Sequence, residues 1–320
     1  MTNKETAQKI VDRMLETIAA GGKLPWVKPW SSGSRTVTTI DGYTTVEIPV
    51  THWSRSGKAY QGINPMLLDF FGKSGEMITF NQCKAEGGKI KKGAKGAPII
   101  FWSMIVKDTG EVDEDGNPIL KKTPVLKTYT VFSVEHDTEG LEVKHHPDPI
   151  TIKLPRYVTT TEEGSAQRNE AAEAIIADYL ARAKTLKLHA DSYSDRAFYS
   201  PALDSVTVPC IQQFSDVAEY YSTTFHELGH STGHASRLNR FTETGKAAAF
   251  GSETYSREEL VAEITAATIL STLGLESGNS FRNSAAYVQS WSEHIKADPM
   301  MFVTAATRAE KAIELILGQA

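Results

Sequence analysis

Cysteine is scarce in this chain: 320 residues hold two, Cys83 and Cys210. They stand too far apart for a local metal knuckle, and a secreted disulfide framework would use more, so both are expected as reduced thiols. No apolar run approaches the roughly 18 residues needed to cross a bilayer, which excludes a helical membrane protein. The opening stretch MTNKETAQKIVDRMLETIAAGGK lacks the apolar core and cleavage site of a signal peptide, and a cytoplasmic location is expected. Internal repeats and low-complexity tracts are also missing. Nor is there a dominant sign of charge: the net value is -5, from 19 Lys and Arg against 18 Asp and Glu in residues 1–150 and 15 against 21 in the remainder. A polyanion would therefore have to be met by a local patch. The stretch KAEGGKIKKGAKG (84–96), with five lysines and one glutamate, is such a patch, whereas DTGEVDEDGNP (108–118) reads as an acidic turn.

What is present suits a globular protein of two domains, with 40% hydrophobic and 23% charged residues. Ala7, Ile10, Val11, Met14, Leu15 and Ile18 recur at helical spacing until GGKLPWVKPW stops the pattern. The β-branched and aromatic runs APIIFWSMIVK (97–107) and VLKTYTVFSVE (125–135) read as a hairpin, with Asp115-Gly116 as its turn signal. Residues 146–165, rich in Pro and Thr, read as a linker. Beyond them NEAAEAIIADYLARAK, YYSTTFHELGHST, SREELVAEITAATILSTLG and RAEKAIELILGQA carry helical periodicity, with DSVTVP (204–209) as a short strand. The expected fold is α+β in two domains: a small sheet with helices over 1–145, and a mainly helical domain over 166–320.

The chemistry concentrates in TTFHELGHSTGH (223–234). Residues four apart lie one above the other on a helix, so His226 and His230 can close on one cation with Glu227 beside them. Zinc takes imidazole nitrogen in a tetrahedral shell and keeps an open position in catalytic sites. Glu227 is then the candidate general base of a peptidase. One Zn2+ is expected, with another divalent metal as the alternative. In SREELVAEITAA, Glu259 and Glu263 share a helix face at the spacing of a ligand carboxylate followed by one that orients a zinc histidine. Glu259 is favoured as third ligand and Glu263 as its partner; the reverse assignment stays open. His234 competes less well, since it would lie about 12 Å from His226 along a continuous helix. A substrate strand is expected along the edge formed by DSVTVP.

In the first half, aromatic residues interleave with cations. Trp26, Trp30, Tyr60, Phe80, Phe101 and Trp102 stand among Lys28, Arg55, Lys58, Lys89, Lys91, Lys92 and Lys95. Flat rings that stack on bases, beside cations that track phosphates, make a single-strand binding platform. The plainer reading puts the aromatics in the core and the lysines in solvent.

Together LPWVKPW (24–30), SGKAYQGIN (56–64), ITFNQCKAEGGKIKKGAKGAPIIFW (78–102), HELGHSTGHASRLNR (226–240), YSREELVAEI (255–264) and YVQSWSEHIKADPMMF (287–302) resemble the ArdC-type plasmid antirestriction proteins. The N-terminal domain of that family also occurs in TraC-type plasmid primases. The resemblance covers nearly the whole chain. It implies an N-terminal domain that binds single-stranded DNA, a C-terminal zincin-like (gluzincin-like) metallopeptidase with His226, Glu227 and His230 in its motif, and protection of conjugatively transferred DNA in the recipient. The partners expected are single-stranded DNA, extending to double-stranded DNA, and a protein substrate of unidentified kind, with a host restriction component as a candidate; no membrane is involved. A DNA-coating protein with a structural or vestigial zinc site is the competing reading.

Overall fold

The computed structural model describes residues 2–20, 36–40, 43–112, 118–155, 168–241, 253–275 and 292–319. In chain order the first elements are α1 (Asn3–Ala19), β1 (Thr36–Ile40), β2 (Tyr43–Ile48), β3 (His52–Ser54), α2 (Ile63–Phe70), β4 (Gly75–Thr79), α3 (Phe80–Ala85) and β5 (Lys89–Ile90). Next come β6 (Ala97–Val112), β7 (Pro118–Ser133), the single turn α4 (Val134–Asp137), β8 (Thr138–Glu139) and β9 (Ile150–Pro155). The rest are α5 (Glu170–Ala183), β10 (Lys187–His189), β11 (Phe198–Ser200), β12 (Ser205–Thr207), α6 (Val217–Ser231), α7 (Glu253–Leu273), α8 (292–297) and α9 (Pro299–Ile316). The protein is α+β with a sheet-rich N-terminal domain and a helical C-terminal domain. None of the helices among the described residues is long and apolar enough to cross a membrane.

The chain folds into two compact units. The first is built on a four-stranded sheet in the order β3-β4-β7-β6, with β3 parallel to β4 and the other pairs antiparallel. β6 and β7 form the expected hairpin, but pairing runs on to Val112, well into the stretch read as an acidic turn. The Asp115-Gly116 turn signal lies outside the described residues. Leu68 of α2 and Met77, Ala97, Ile99 and Val131 of the sheet form the core, with Tyr60 and Phe71 packed on them. β6 is an edge strand, and Asn64 of α2 closes that edge at one point. Its amide donates to Ile100 O (3.0 Å) and accepts from Ile100 N (2.8 Å), as a neighbouring strand would. Of the apolar positions of α1 predicted from spacing, Ala7, Ile10, Val11 and Met14 are buried and Leu15 is half-buried. Asn3 at its start accepts from Leu126 N of β7 (2.8 Å), and Arg13 reaches Gly96 O and lies 4.4 Å over the Phe71 ring.

The second unit corrects the linker reading. Ile150–Pro155 is a strand, paired antiparallel to β2 from Ile150↔Ile48 to Pro155↔Tyr43, in the sheet β1-β2-β9. The signal was the alternation Ile150, Ile152, Leu154, overshadowed by the surrounding Pro and Thr. A second sheet runs β10-β12-β11, with β10 and β12 parallel and β12 and β11 antiparallel. β12 contains the predicted strand DSVTVP, but it is central and paired on both sides. It offers no edge to a substrate; β10 and β11 are the outer strands. The core gathers Ile175, Ile176, Tyr179, Val206, Val208, Tyr220, Tyr221, Phe225, Leu228, Ile269 and Ile316 from α5, the sheet and the helices α6, α7 and α9. Arg182 ties the ends of α5 and α9, donating to the carbonyls of Leu315 (2.6 Å) and Ile316 (2.9 Å), which the last turn of a helix leaves unpaired.

Candidate metal centre

α6 begins at Asp216, whose carboxylate accepts from Ala218 N (2.9 Å) and meets the exposed amides and positive dipole end of the first turn. The helix is buried over most of its length and carries His226 and His230 towards α7, with Glu227 beside His226 in the chain. Gly229 sets how closely the two helices pack. A Cβ there would lie 3.2 Å from the Cα of Ala262 and 3.4 Å from Thr265 Cβ, so any larger residue would push α7 away. This close approach brings Glu259 between the two histidines.

The resulting distances fit a cation. His226 Nε2 is 3.1 Å from His230 Nε2, and the Glu259 oxygens lie 3.4 Å from the first and 3.3 Å from the second. Bonds of about 2.0–2.2 Å to a tetrahedral ion put its ligands about 3.3–3.6 Å apart. Two Nε2 atoms at 3.1 Å cannot both carry a proton, whereas two lone pairs facing a shared cation are compatible. The three ligand atoms all fall within 4.8 Å of one another, and this is the group of metal-ligating side chains found among the described residues.

Each histidine has a carboxylate behind its outer nitrogen. Glu263 Oε2 stands 3.5 Å from His226 Nδ1, and Glu258 Oε1 3.7 Å from His230 Nδ1. Glu259 is therefore the carboxylate that groups with the two histidines, and Glu263 stands behind His226. Glu258 was overlooked because, one residue before Glu259, it points about 100° away on the helix and meets the site only if a second histidine waits there. Burial works against a charge on His230, yet Glu258 and Glu259 outweigh it and push its pKa up to about 10. Burial works against a charge on Glu259 as well, but His226 and then His230 hold its carboxyl below the ordinary range. Glu227 is 8% exposed. His234 follows the end of α6 and is not part of the ligand group, with Nδ1 2.8 Å from Ser236 Oγ.

The loop after α6 is clasped by two arginines. Arg237 donates to Ser231 O (2.8 Å), pairs with Asp204 beside β12 and reaches Tyr199 OH on β11 (3.3 Å). Arg240, also buried, spans from α6 to α7. It donates to Gly229 O (3.0 Å) and Thr232 Oγ1 (2.7 Å), and holds both oxygens of Glu258 (2.5 and 3.0 Å). Sequence reading missed it because nothing in SRLNR separates a buried arginine from a solvated one.

The candidates for DNA contact separate into groups. Trp26 and Trp30 lie outside the described residues. Arg55 is not on a surface: it is buried, paired to Glu76 and Glu86 at 2.7 Å each, and donates to Glu142 O (2.8 Å). Tyr60 packs on the sheet core, where burial pushes its phenol up to about 12. Lys91 is half-buried and donates to His136 O (3.1 Å). Lys58, Lys89, Lys92, Lys95 and Trp102 are exposed. Two glycines within the lysine-rich stretch serve packing: the space a Cβ would need is filled by Leu141 at Gly88 and by Thr130 at Gly96. The hairpin adds one ring the candidate set omitted, Tyr129, beside Phe101. Its face is buried at Ala97 and Ile99 but emerges into solvent at Phe101, 5.8 Å edge-on from Tyr129 and paired across the ladder with exposed Lys127.

A helix bearing two histidines, packed on a second helix bearing the third ligand and set beside a small sheet, is the arrangement of a zincin-like metallopeptidase domain. Residues 170–308 match the family of zincin-like metallopeptidases, and residues 4–132 match the N-terminal domain of anti-restriction factor ArdC. The chain belongs to the ArdC family. It is 32% identical to the antirestriction ArdC protein of plasmid R388 in its metal-free crystal structure, over 98% of this chain and 97% of that one, with a TM-score of 0.65. The Mn(II)-bound structure of that protein gives 30% identity and 0.64 at the same coverage. A DNA primase TraC of Escherichia coli is 35% identical over 97% of the chain, which spans 20% of that protein's length. The protein y4eC of Sinorhizobium fredii is 27% identical over 99% of the chain and 93% of its own length.

Proposed function

We propose that this chain is a zinc-dependent peptidase joined to a single-strand DNA-binding domain, acting in the cytoplasm to protect conjugatively transferred DNA from restriction. The observation that carries the peptidase half is the trio of His226, His230 and Glu259, with ligand atoms 3.1–3.4 Å apart and Glu227 on the same turn. Two imidazoles and one carboxylate suit zinc, and Mn(II) in the R388 relative supports a divalent ion of this size. When bound, the ion supplies Lewis-acid polarisation of a substrate carbonyl. Glu227 accepts the proton of the attacking water at its carboxylate and returns it to the leaving amine. Glu263 and Glu258 stand 3.5 and 3.7 Å from the outer Nδ1 atoms, where a carboxylate favours the tautomer that leaves the Nε2 lone pair inward. The substrate is a protein segment, with a host restriction component as candidate, and β11 is the nearer outer strand for it, since α6 packs on β11.

The DNA half is supported by Lys58, Lys89, Lys92 and Lys95 in solvent, by the exposed rings of Trp102, Phe101 and Tyr129, and by the resemblance to ArdC. The same surface supports a second reading, in which the protein protects DNA by coating it and the metal is structural. Metal content and cleavage of a peptide library by wild type and Glu227→Gln test the first half. Glutamine keeps the size of the side chain without its basicity, so the variant should keep metal and single-strand affinity while losing about 100-fold or more in cleavage. Full protection of transferred DNA by that variant in cells would instead establish coating.

A further inference from the structure

We infer that Arg240 is a positioning residue for the metal centre, acting through Glu258 on His230; this rests on the metal-site reading above. The two histidines are supported differently. Behind His226 stands Glu263, one helical turn from the ligand Glu259 and so placed by α7 itself. Behind His230 stands Glu258, on a neighbouring face of that helix, and a side chain from another segment holds it there. Arg240 takes Glu258 with two nitrogens, Nη2 to Oε1 (2.5 Å) and Nε to Oε2 (3.0 Å), the two-pronged geometry that fixes a carboxylate in orientation as well as distance. Its remaining donors go to α6, at Gly229 O and Thr232 Oγ1.

One buried guanidinium thus ties the helix that carries both histidines to the helix that carries the third ligand. With Glu258 Oε1 fixed 3.7 Å from His230 Nδ1, a proton on Nδ1 is favoured and the Nε2 lone pair is left facing Glu259 and His226. Arg237 in turn anchors the loop to Asp204, so the position of Arg240 is itself held from the side of the sheet. The loop over residues 232–241 is by this account part of the metal site, although it contributes no ligand.

The test is Zn(II) affinity, measured by competition with a chelator on the full chain, for wild type, Arg240→Gln, Arg240→Lys, Glu258→Gln and the double variant Arg240→Gln/Glu258→Gln. Circular dichroism checks the fold of each. Arg240→Gln and Glu258→Gln should each weaken zinc binding roughly 10–100-fold. Because one acts through the other, the double variant should bind no worse than the weaker single. Arg240→Lys, which keeps charge but loses the fork, should fall between wild type and Arg240→Gln. Losses that multiply in the double variant overturn the inference, as does wild-type affinity in a folded Arg240→Gln. Where Arg240→Gln does not fold, wild-type affinity in both Arg240→Lys and Glu258→Gln overturns it. His226→Ala serves as control: retained zinc there defeats the metal-site reading itself, whereas zinc lost there but kept in Arg240→Gln defeats the positioning role alone.

Discussion

Each unit holds a cluster of opposite charges gathered on buried groups, and the two are built on different principles. Around Arg55 the charges are answered one by one. The guanidinium lies on Glu76 and Glu86, Lys144 Nζ also reaches Glu86 (2.8 Å), and Glu76 is closed off by the amides of Lys144 (2.7 Å) and His145 (3.1 Å). Around His226 and His230 three carboxylates face the imidazoles, and Arg240 is the permanent cation among the described contacts. A closed cluster of this kind fixes a fold, since its charges already neutralise one another. A cluster with surplus negative charge attracts a cation, and a strongly raised imidazole pKa is one sign of that demand. Buried charge therefore means structure in one unit and chemistry in the other.

The sharpest way to break the comparison is to remove a ligand. His226→Ala or His230→Ala should weaken zinc binding by more than the roughly 10–100-fold expected for a supporting residue. With metal at about 100 times the wild-type dissociation constant, the variant should also lose about 2.7 kcal/mol of ligand-linked stabilisation. Metal analysis and thermal melts with and without zinc measure both. Full metal occupancy in either variant would erase the distinction between the clusters.

The mirror experiment is Arg55→Ala. Truncating one member of a buried ion pair leaves Glu76 charged and uncompensated, and should cost roughly 3–5 kcal/mol while leaving zinc affinity of the folded protein unchanged. The same cluster has a pH signature. Hydrogen bonds from Arg55, then from Lys144, hold the Glu86 carboxyl down at about 2 against an ordinary 4.5. A folded-state pKa below the unfolded value gives stability that is complete above the unfolded value and lost as pH falls towards the folded one. The melting temperature should therefore fall between pH 4.5 and pH 2, and Glu86→Gln should flatten that fall. An unchanged slope would mean that the acid sensitivity arises elsewhere.

How much of this could be read from the sequence depends on whether the partner of a residue was near it in the chain. His226, Glu227 and His230 lie on one helix, so spacing alone placed them, and Glu259 and Glu263 followed from the same periodicity on α7. The hairpin and α1 were legible for the same reason. Arg55 looked like a phosphate contact because its partners, Glu76, Glu86 and the carbonyl of Glu142, are 21, 31 and 87 residues away. Glu258 and Arg240 were illegible because each becomes part of the site only when α6 and α7 are already packed. β12 was seen as a strand, but its central place in the sheet depends on β10 and β11, whose three-residue runs carry no periodicity of their own.

That packing can be perturbed directly at Gly229. An added methyl would meet the backbone of α7 at 3.2 Å, and a helix backbone cannot yield as a side chain tip can. Gly229→Ala should cost about 1–3 kcal/mol, the usual range for overpacking, partly offset by the better helix propensity of alanine. Zinc affinity should fall with it, because moving α7 outward carries Glu259 away from both imidazoles. A variant destabilised but unchanged in zinc affinity would show that the ligands adjust independently of the interhelical distance.

The smallest effect on stability belongs to the exposed lysines. Lys89, Lys92 and Lys95 are in solvent, so replacing all three with glutamine should change stability by no more than about 0.5 kcal/mol per site. Their effect should appear in DNA binding instead. Each phosphate contact to a single strand contributes about 0.7 to the slope of log affinity against log salt, so the triple variant should bind more weakly at low salt and with a shallower slope. Phe101→Ala and Tyr129→Ala should weaken binding by about 1–3 kcal/mol per stacked base without altering the slope, because a ring reads the face of a base and not its phosphate. Fluorescence anisotropy of a labelled oligonucleotide across a salt series separates the two. If the lysine variant keeps the wild-type slope, these side chains are solvated only, and the aromatic hairpin alone would have to account for any DNA binding by this domain.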